Sequence, residues 1–150
     1  VKRAAPAFYR VASKGTIAVD YEFRNDTREI LVSMNFEGID RDGLQEILVS
    51  NELGGILFDR YTDDTGVHLE QDKISGWDRI EGRKATFYST EANLFFEVSI
   101  PEEQSAFRGR EVIDDIIRWS GVIISLPPST MSVEYLVRLG SLSEMKGIKQ

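Results

Sequence analysis

Residues 16–23 alternate without interruption: Ile17, Val19, Tyr21 and Phe23 are apolar, and the residues between them are small or charged. A period of two marks a strand with one face toward a core and the other toward water. Arg24-Asn25-Asp26-Thr27 follows as a turn, because Asn and Asp side chains bond nearby backbone and tolerate left-handed geometry. Ile30 to Phe36 then reads as the antiparallel partner. Two further strands are expected at Ala85-Thr86-Phe87-Tyr88-Ser89 and at Leu94 to Ile100, joined through residues 90–93 and ended by Pro101. In the second, Phe96, Val98 and Ile100 share a face and Phe95 takes the other.

Shorter strands are read at Ile56-Leu57-Phe58 and Val67-His68-Leu69, around the acidic link 59–66, with hairpin-turn chemistry at Asp64 to Gly66. Val122 to Leu126 forms a buried strand stopped by Pro127-Pro128. Residues 70–83 read as a loop or one short helical turn, with Ile74, Trp77 and Ile80 at three-residue spacing. Three stretches show helical spacing. One follows Asp40 or Asp42 and carries Leu44, Ile47 and Leu48. The second, 110–120, carries Val112, Ile113, Ile116 and Ile117. The third follows a Ser129 or Thr130 cap and carries Val133, Leu136, Val137 and Leu139. The expected fold is α+β: a mostly antiparallel sheet of five to seven strands with two or three helices packed on one face.

The length of 150 residues suits one domain with one core. The expected organisation is a basic arm at 1–14, a domain at 15–141 and a tail at 142–150. Within the arm, Ala7-Phe8-Tyr9-Arg10-Val11 can pair as a strand. A start at Val1 rather than Met reads as a processed or trimmed chain. No apolar run approaches the ~20 residues that span a bilayer, so no membrane partner and a cytoplasmic setting are expected.

Cysteine is absent, which removes disulfides, thiolate nucleophiles and Cys-based metal sites. His68 is the one histidine, so any triad or His-metal site has a single imidazole available. Phosphate-loop, nucleophile-elbow, zinc-protease and dinucleotide motifs are missing. The acidic loop does not follow the calcium-loop pattern. Neither cofactor nor metal is expected.

Charge is unevenly spread. Lys2, Arg3, Arg10 and Lys14 give the arm +4, so the rest, with 14 basic and 25 acidic residues, carries −11. An acidic body opposes capture of nucleic acid, even though Arg79, Arg83 and Lys84 interleave with Trp77, Phe87 and Tyr88. It favours a basic protein partner, with a homo-oligomer also compatible. The residues singled out for contact are Asp63, Asp64, His68, Glu70, Asp72, Trp77 and Arg79, with the Trp and Arg as the interface-type anchors. The reading is a noncatalytic protein-binding domain presenting an acidic face, of inhibitor or immunity-like type. The alternative is a small hydrolase or carbohydrate-active enzyme using carboxylates with His68.

Overall fold

The computed structural model describes residues 15–54, 57–70, 73–74, 76–114 and 116–145. The expected arm strand at Ala7 to Val11, Ile56, Asp72 and the last residues of the tail lie outside them. Eleven strands run in chain order: β1 (Ala18–Arg24), β2 (Glu29–Asn35), β3 (Ile47–Gly54), β4 (Arg60–Asp63), β5 (His68–Glu70), β6 (Gly76–Ile80), β7 (Lys84–Ser89), β8 (Leu94–Ser99), β9 (Ser105–Ile113), β10 (Ile116–Leu126) and β11 (Ser132–Ser141). They form a seven-stranded sheet, β1-β2-β11-β8-β7-β4-β5, and a four-stranded sheet, β3-β10-β9-β6. Every named pairing is antiparallel.

Four neighbours of the large sheet, β2-β11-β8-β7, stand in the same order as their chain-adjacent counterparts β3-β10-β9-β6 in the small sheet. Between these counterparts the chain thus crosses from one sheet to the other four times, through connections as short as residues 81–83 and as long as residues 36–46, as though one antiparallel sheet were folded over on itself. The core fills the fold, with Val32, Phe87, Val98, Val133 and Val137 facing Val49, Ala106, Val122, Ile124 and Leu126. Tyr61 and Phe87 meet edge to face at 5.2 Å, the geometry aromatic quadrupoles prefer. Arginines fasten the bends to one another. Arg83 donates to the Pro101 and Gln104 carbonyls at 3.1 and 3.0 Å, and Arg41 to those of Phe36 and Thr130 at 3.0 and 2.9 Å.

The expected α+β class is corrected to all-β: the described residues contain no α-helix, and a 3-10 turn at Leu142–Glu144 closes the domain. The first expected helix is a turn leading into β3. The second is the β9–β10 hairpin, in which Ile113 pairs with Ile116 and Asp114 adopts φ 53°. The third is β11, whose Val133, Tyr135 and Val137 are buried at alternate positions. The second and third are rich in β-branched or aromatic residues, which fit a pleated surface better than a helix interior. The acidic link contains β4, and the loop at 70–83 contains β6. Leu57 and Phe58 belong to no strand, although Phe58 is buried.

The large sheet overhangs the small one on both flanks. On the β4–β5 flank the overhang is filled, with Tyr61, Phe58 and Ile74 buried at 0%, 7% and 2% exposure. On the β1 flank it is open among the described residues. Val19, Tyr21 and Phe23 register with Met34, Val32 and Ile30 and through them with core residues of β11, yet remain 38%, 62% and 69% exposed.

Candidate functional site

The sequence-predicted residues divide between opposite faces of the sandwich. Asp63, Asp64 and His68 line a groove of about 510 Å³ on the outer face of the large sheet, together with Lys84, Glu97 and Arg138. Its floor is a transverse row in which His68, Thr62, Thr86, Glu97 and Arg138 are successive cross-strand partners. Glu70 sits on β5 and is ion-paired with Arg60 at 3.0 Å, both exposed. Trp77 and Arg79 lie on β6, on the outer face of the small sheet. With Lys84 and Arg138 in it, the groove is mixed in charge rather than acidic.

Asp63 and Asp64 are engaged in shaping the chain. Asp63 Oδ1 accepts from the Thr65 hydroxyl at 2.5 Å and from the Thr65 and Val67 amides at 3.0 and 3.2 Å, while Oδ2 accepts from Tyr61 at 3.1 Å. Burial pushes the Asp63 pKa up, but these hydrogen bonds outweigh burial and hold it below the ordinary value. Asp64 Oδ1 accepts from the amides of Arg83 and Lys84 at 2.7 and 3.1 Å, fastening the β4–β5 turn to the β6–β7 bend. Among the described residues no carboxylate hydrogen-bonds His68, and no group of three or more His, Asp or Glu side chains is placed to hold a metal ion.

Trp77 is 45% exposed and lies 4.9 Å from Trp119, tilted by 43°. Its ring covers Gly109, where an added Cβ would come within 2.4 Å of the indole. Trp119 donates to Glu111 at 2.8 Å. The interleaved basic and aromatic residues form no common surface. Phe87 and Tyr88 are buried, and Arg83 is held by bend carbonyls.

The open flank combines more unsatisfied features than either face. Between the inner side of β1 and the edge strand β3 runs a cleft of about 280 Å³, lined by Tyr21, Ile30, Asn51, Glu52, Tyr135 and Leu139. Tyr135 donates to Asn51 Oδ1 at 3.1 Å, bridging the two sheets at its floor. Burial pushes the Tyr135 phenol above its ordinary pKa, so it stays a neutral donor. The amide nitrogen of Asn51 is buried without a partner, and a buried unsatisfied donor calls for an explanation. No described strand pairs with the outer edge of β1 or of β3. Acids rim the flank: Asp20 and Glu22 on the other face of β1, Glu52 on β3 and Glu46 just before it. Arg24, the basic residue of β1, is tied to Glu22 at 2.9 Å.

Sequence reasoning found the alternation of β1 but assigned its apolar face to the core. The strict pattern with acids opposite was the available signal. Its exposure depends on how many strands the other sheet contributes, which no local pattern records. Among the described residues no helix is long and apolar enough to cross a membrane. Comparison of the chain with protein-family models, with curated proteins and with solved structures finds no match.

Proposed function

We propose that this chain is a noncatalytic protein-binding domain whose β1–β3 mouth takes an extended, basic segment of a partner protein as an added strand. The observation that carries the reading is the apolar face of β1, left exposed beside the edge of β3 with which no described strand pairs. Long apolar edges of this kind template pairing unless something covers them. Contiguous exposed apolar patches with polar rims mark interaction sites. Strand addition supplies backbone hydrogen bonds, and alternate side chains of the incoming segment meet Val19, Tyr21 and Phe23. Burying such side chains contributes roughly 25 cal/mol per Å². The surrounding acids select a basic segment and speed its approach. An inhibitor or immunity-like role is one form this binding can take. The carboxylate-enzyme alternative is weaker, because Asp63 and Asp64 already accept hydrogen bonds from backbone amides.

The test is a titration by fluorescence anisotropy with a labelled synthetic peptide of about ten residues, alternating Lys with Val and Tyr. We expect saturable binding that weakens as salt rises. Tyr21→Asp/Phe23→Asp is expected to weaken it at least ~10-fold, about 1.4 kcal/mol. Both side chains are more than half exposed, so the variant keeps its fold by circular dichroism. Equal affinity for the folded variant and the parent would refute the assignment.

A further inference from the structure

We propose that the groove on the outer face of the large sheet binds a small zwitterion of the α-amino-acid class, taking its carboxylate on Arg138 and its ammonium on Glu97. The groove lies apart from the β1–β3 mouth, and its assignment does not rest on the strand-accepting reading.

The row of cross-strand partners that floors the groove continues past Arg138 to Glu29 and Arg24, so one line of side chains crosses all seven strands. Along Arg24, Glu29, Arg138 and Glu97 its charges alternate. Opposite charges that face each other across a sheet attract and commonly pair. Arg138 stands between two carboxylates, yet among the described residues it forms an ion pair with neither. Its guanidinium lies instead over the ring of Phe95, 5.2 Å from the centroid, and donates to the Glu144 carbonyl at 3.3 Å. Phe95 is 1% exposed, a firm platform for the guanidinium plane. The remaining donors of the fork have no partner among the described residues.

Glu97 is held on the other side of the gap. Its side chain is 17% exposed and lies 4.0 Å from Lys84 Nζ, and it accepts from the Thr86 hydroxyl at 3.3 Å. Both contacts are long for a carboxylate, whose charge-assisted hydrogen bonds run at about 2.5 to 2.9 Å. Asp63 uses both oxygens, and Asp64 its Oδ1, in hydrogen bonds that shape the chain. Glu97 is therefore the largely buried carboxylate of the groove with acceptor capacity left.

A gap flanked by opposite charges selects its ligand by charge. A simple anion on Arg138 would lie beside Glu97 and Glu29, and a simple cation on Glu97 beside Lys84 and Arg138, so each meets like-charge repulsion. A molecule bearing a carboxylate and an ammonium on one carbon satisfies both sides, and the planar fork takes the carboxylate through two parallel hydrogen bonds. From Glu97 the groove runs over Thr86 and Thr62 toward His68, in strand steps of about 4.8 Å. Hydroxyls and a neutral imidazole both donate and accept, which suits an uncharged polar side chain such as an amide. The volume of about 510 Å³ leaves room for one.

The experiment titrates L-glutamine, N-acetyl-L-glutamine and L-glutamine amide into the full chain, followed by calorimetry and by backbone amide shifts. Expected are saturable binding of glutamine, shifts clustered at 62–68, 84–86, Glu97 and Arg138, and at least ~10-fold weaker binding of both analogues, each of which lacks one of the two charges. Glu97→Gln and Arg138→Lys, folded by circular dichroism, should each weaken glutamine binding at least ~10-fold; the lysine keeps the charge and loses the fork. Because the analogues are compared on the parent protein, the assignment is tested even where a variant fails to fold. Either analogue binding as tightly as glutamine would overturn the proposal, reducing the groove to a simple anion or cation site. Glutamine that fails to bind saturably, or that binds both folded variants as tightly as the parent, would also overturn it.

Discussion

Asp63→Ala is expected to destabilise the domain by about 3 kcal/mol, measured by urea denaturation at neutral pH. The carboxylate is 8% exposed and accepts four hydrogen bonds, two of them from backbone amides of its own turn. Truncation removes charge-assisted bonds and leaves the Tyr61 hydroxyl without its acceptor inside the fold. Asp63→Asn keeps an acceptor oxygen for the turn and should lose less, about 1 to 2 kcal/mol. The same carboxylate makes stability pH-dependent. Its folded pKa lies below the unfolded value, so its contribution is complete above the unfolded pKa of about 4 and is lost as pH falls through the folded pKa. The parent should therefore lose stability over that acid range more steeply than Asp63→Asn. Parallel pH profiles for the two proteins would show that Asp63 is not the coupling group.

Gly121→Ala is expected to cost roughly 2 to 4 kcal/mol, although alanine ordinarily suits a strand better than glycine. Gly121 pairs with Glu52 across β10 and β3. An added Cβ would stand 2.2 Å from the Asn51 carbonyl oxygen and 3.2 Å from Glu52 Cα, both backbone atoms that cannot rotate away. The two strands must spread, and overpacking of this kind costs about 1 to 3 kcal/mol and occasionally more. Gly54→Ala is the control: nothing lies within 4 Å of its Cβ position, so its effect should stay within about 0.5 kcal/mol. Because Asn51 belongs to the floor of the mouth, Gly121→Ala should weaken peptide binding as well, whereas Gly54→Ala should not.

The legible strands carried a strict alternation or a compact apolar run between turn signals. β1 alternates strictly although none of its residues is buried, while β2 and β8 carry the runs Ile30-Leu31-Val32 and Phe95-Phe96, of which Val32, Phe95 and Phe96 are buried. The β9–β10 hairpin was illegible because Val112, Ile113, Ile116 and Ile117 fit a helical face and also a two-residue turn flanked by paired isoleucines. Spacing cannot separate these; the left-handed backbone of Asp114 and the β-branched composition do. In β11, Leu136 adds helical spacing to an otherwise alternating Val133, Tyr135, Val137 and Leu139. Leu136 registers with Leu31 on the outer face, so its apolar character has nothing to do with the core.

The predicted contact residues divide between two faces for a similar reason: Asp63, Asp64 and His68 line one groove, and Trp77 and Arg79 lie on the other sheet. Asp63, Asp64, His68 and Glu70 are neighbours in sequence, but a hairpin needs carboxylates to satisfy its own amides. Trp77 and Arg79 follow closely in the chain and yet stand on the other sheet. Conversely, the mouth joins β1 to β3, which do not pair and meet only through the fold as a whole.

The measurement that addresses the mouth most directly is mapping of backbone amide chemical shifts by NMR as the alternating basic peptide is added to the full chain. Strand addition at the mouth predicts saturating shifts clustered at 19–23 and 48–53, with 62–68 and 76–80 unmoved. Shifts confined to the groove at 62–68, or to the face bearing Trp77 and Arg79, would contradict it.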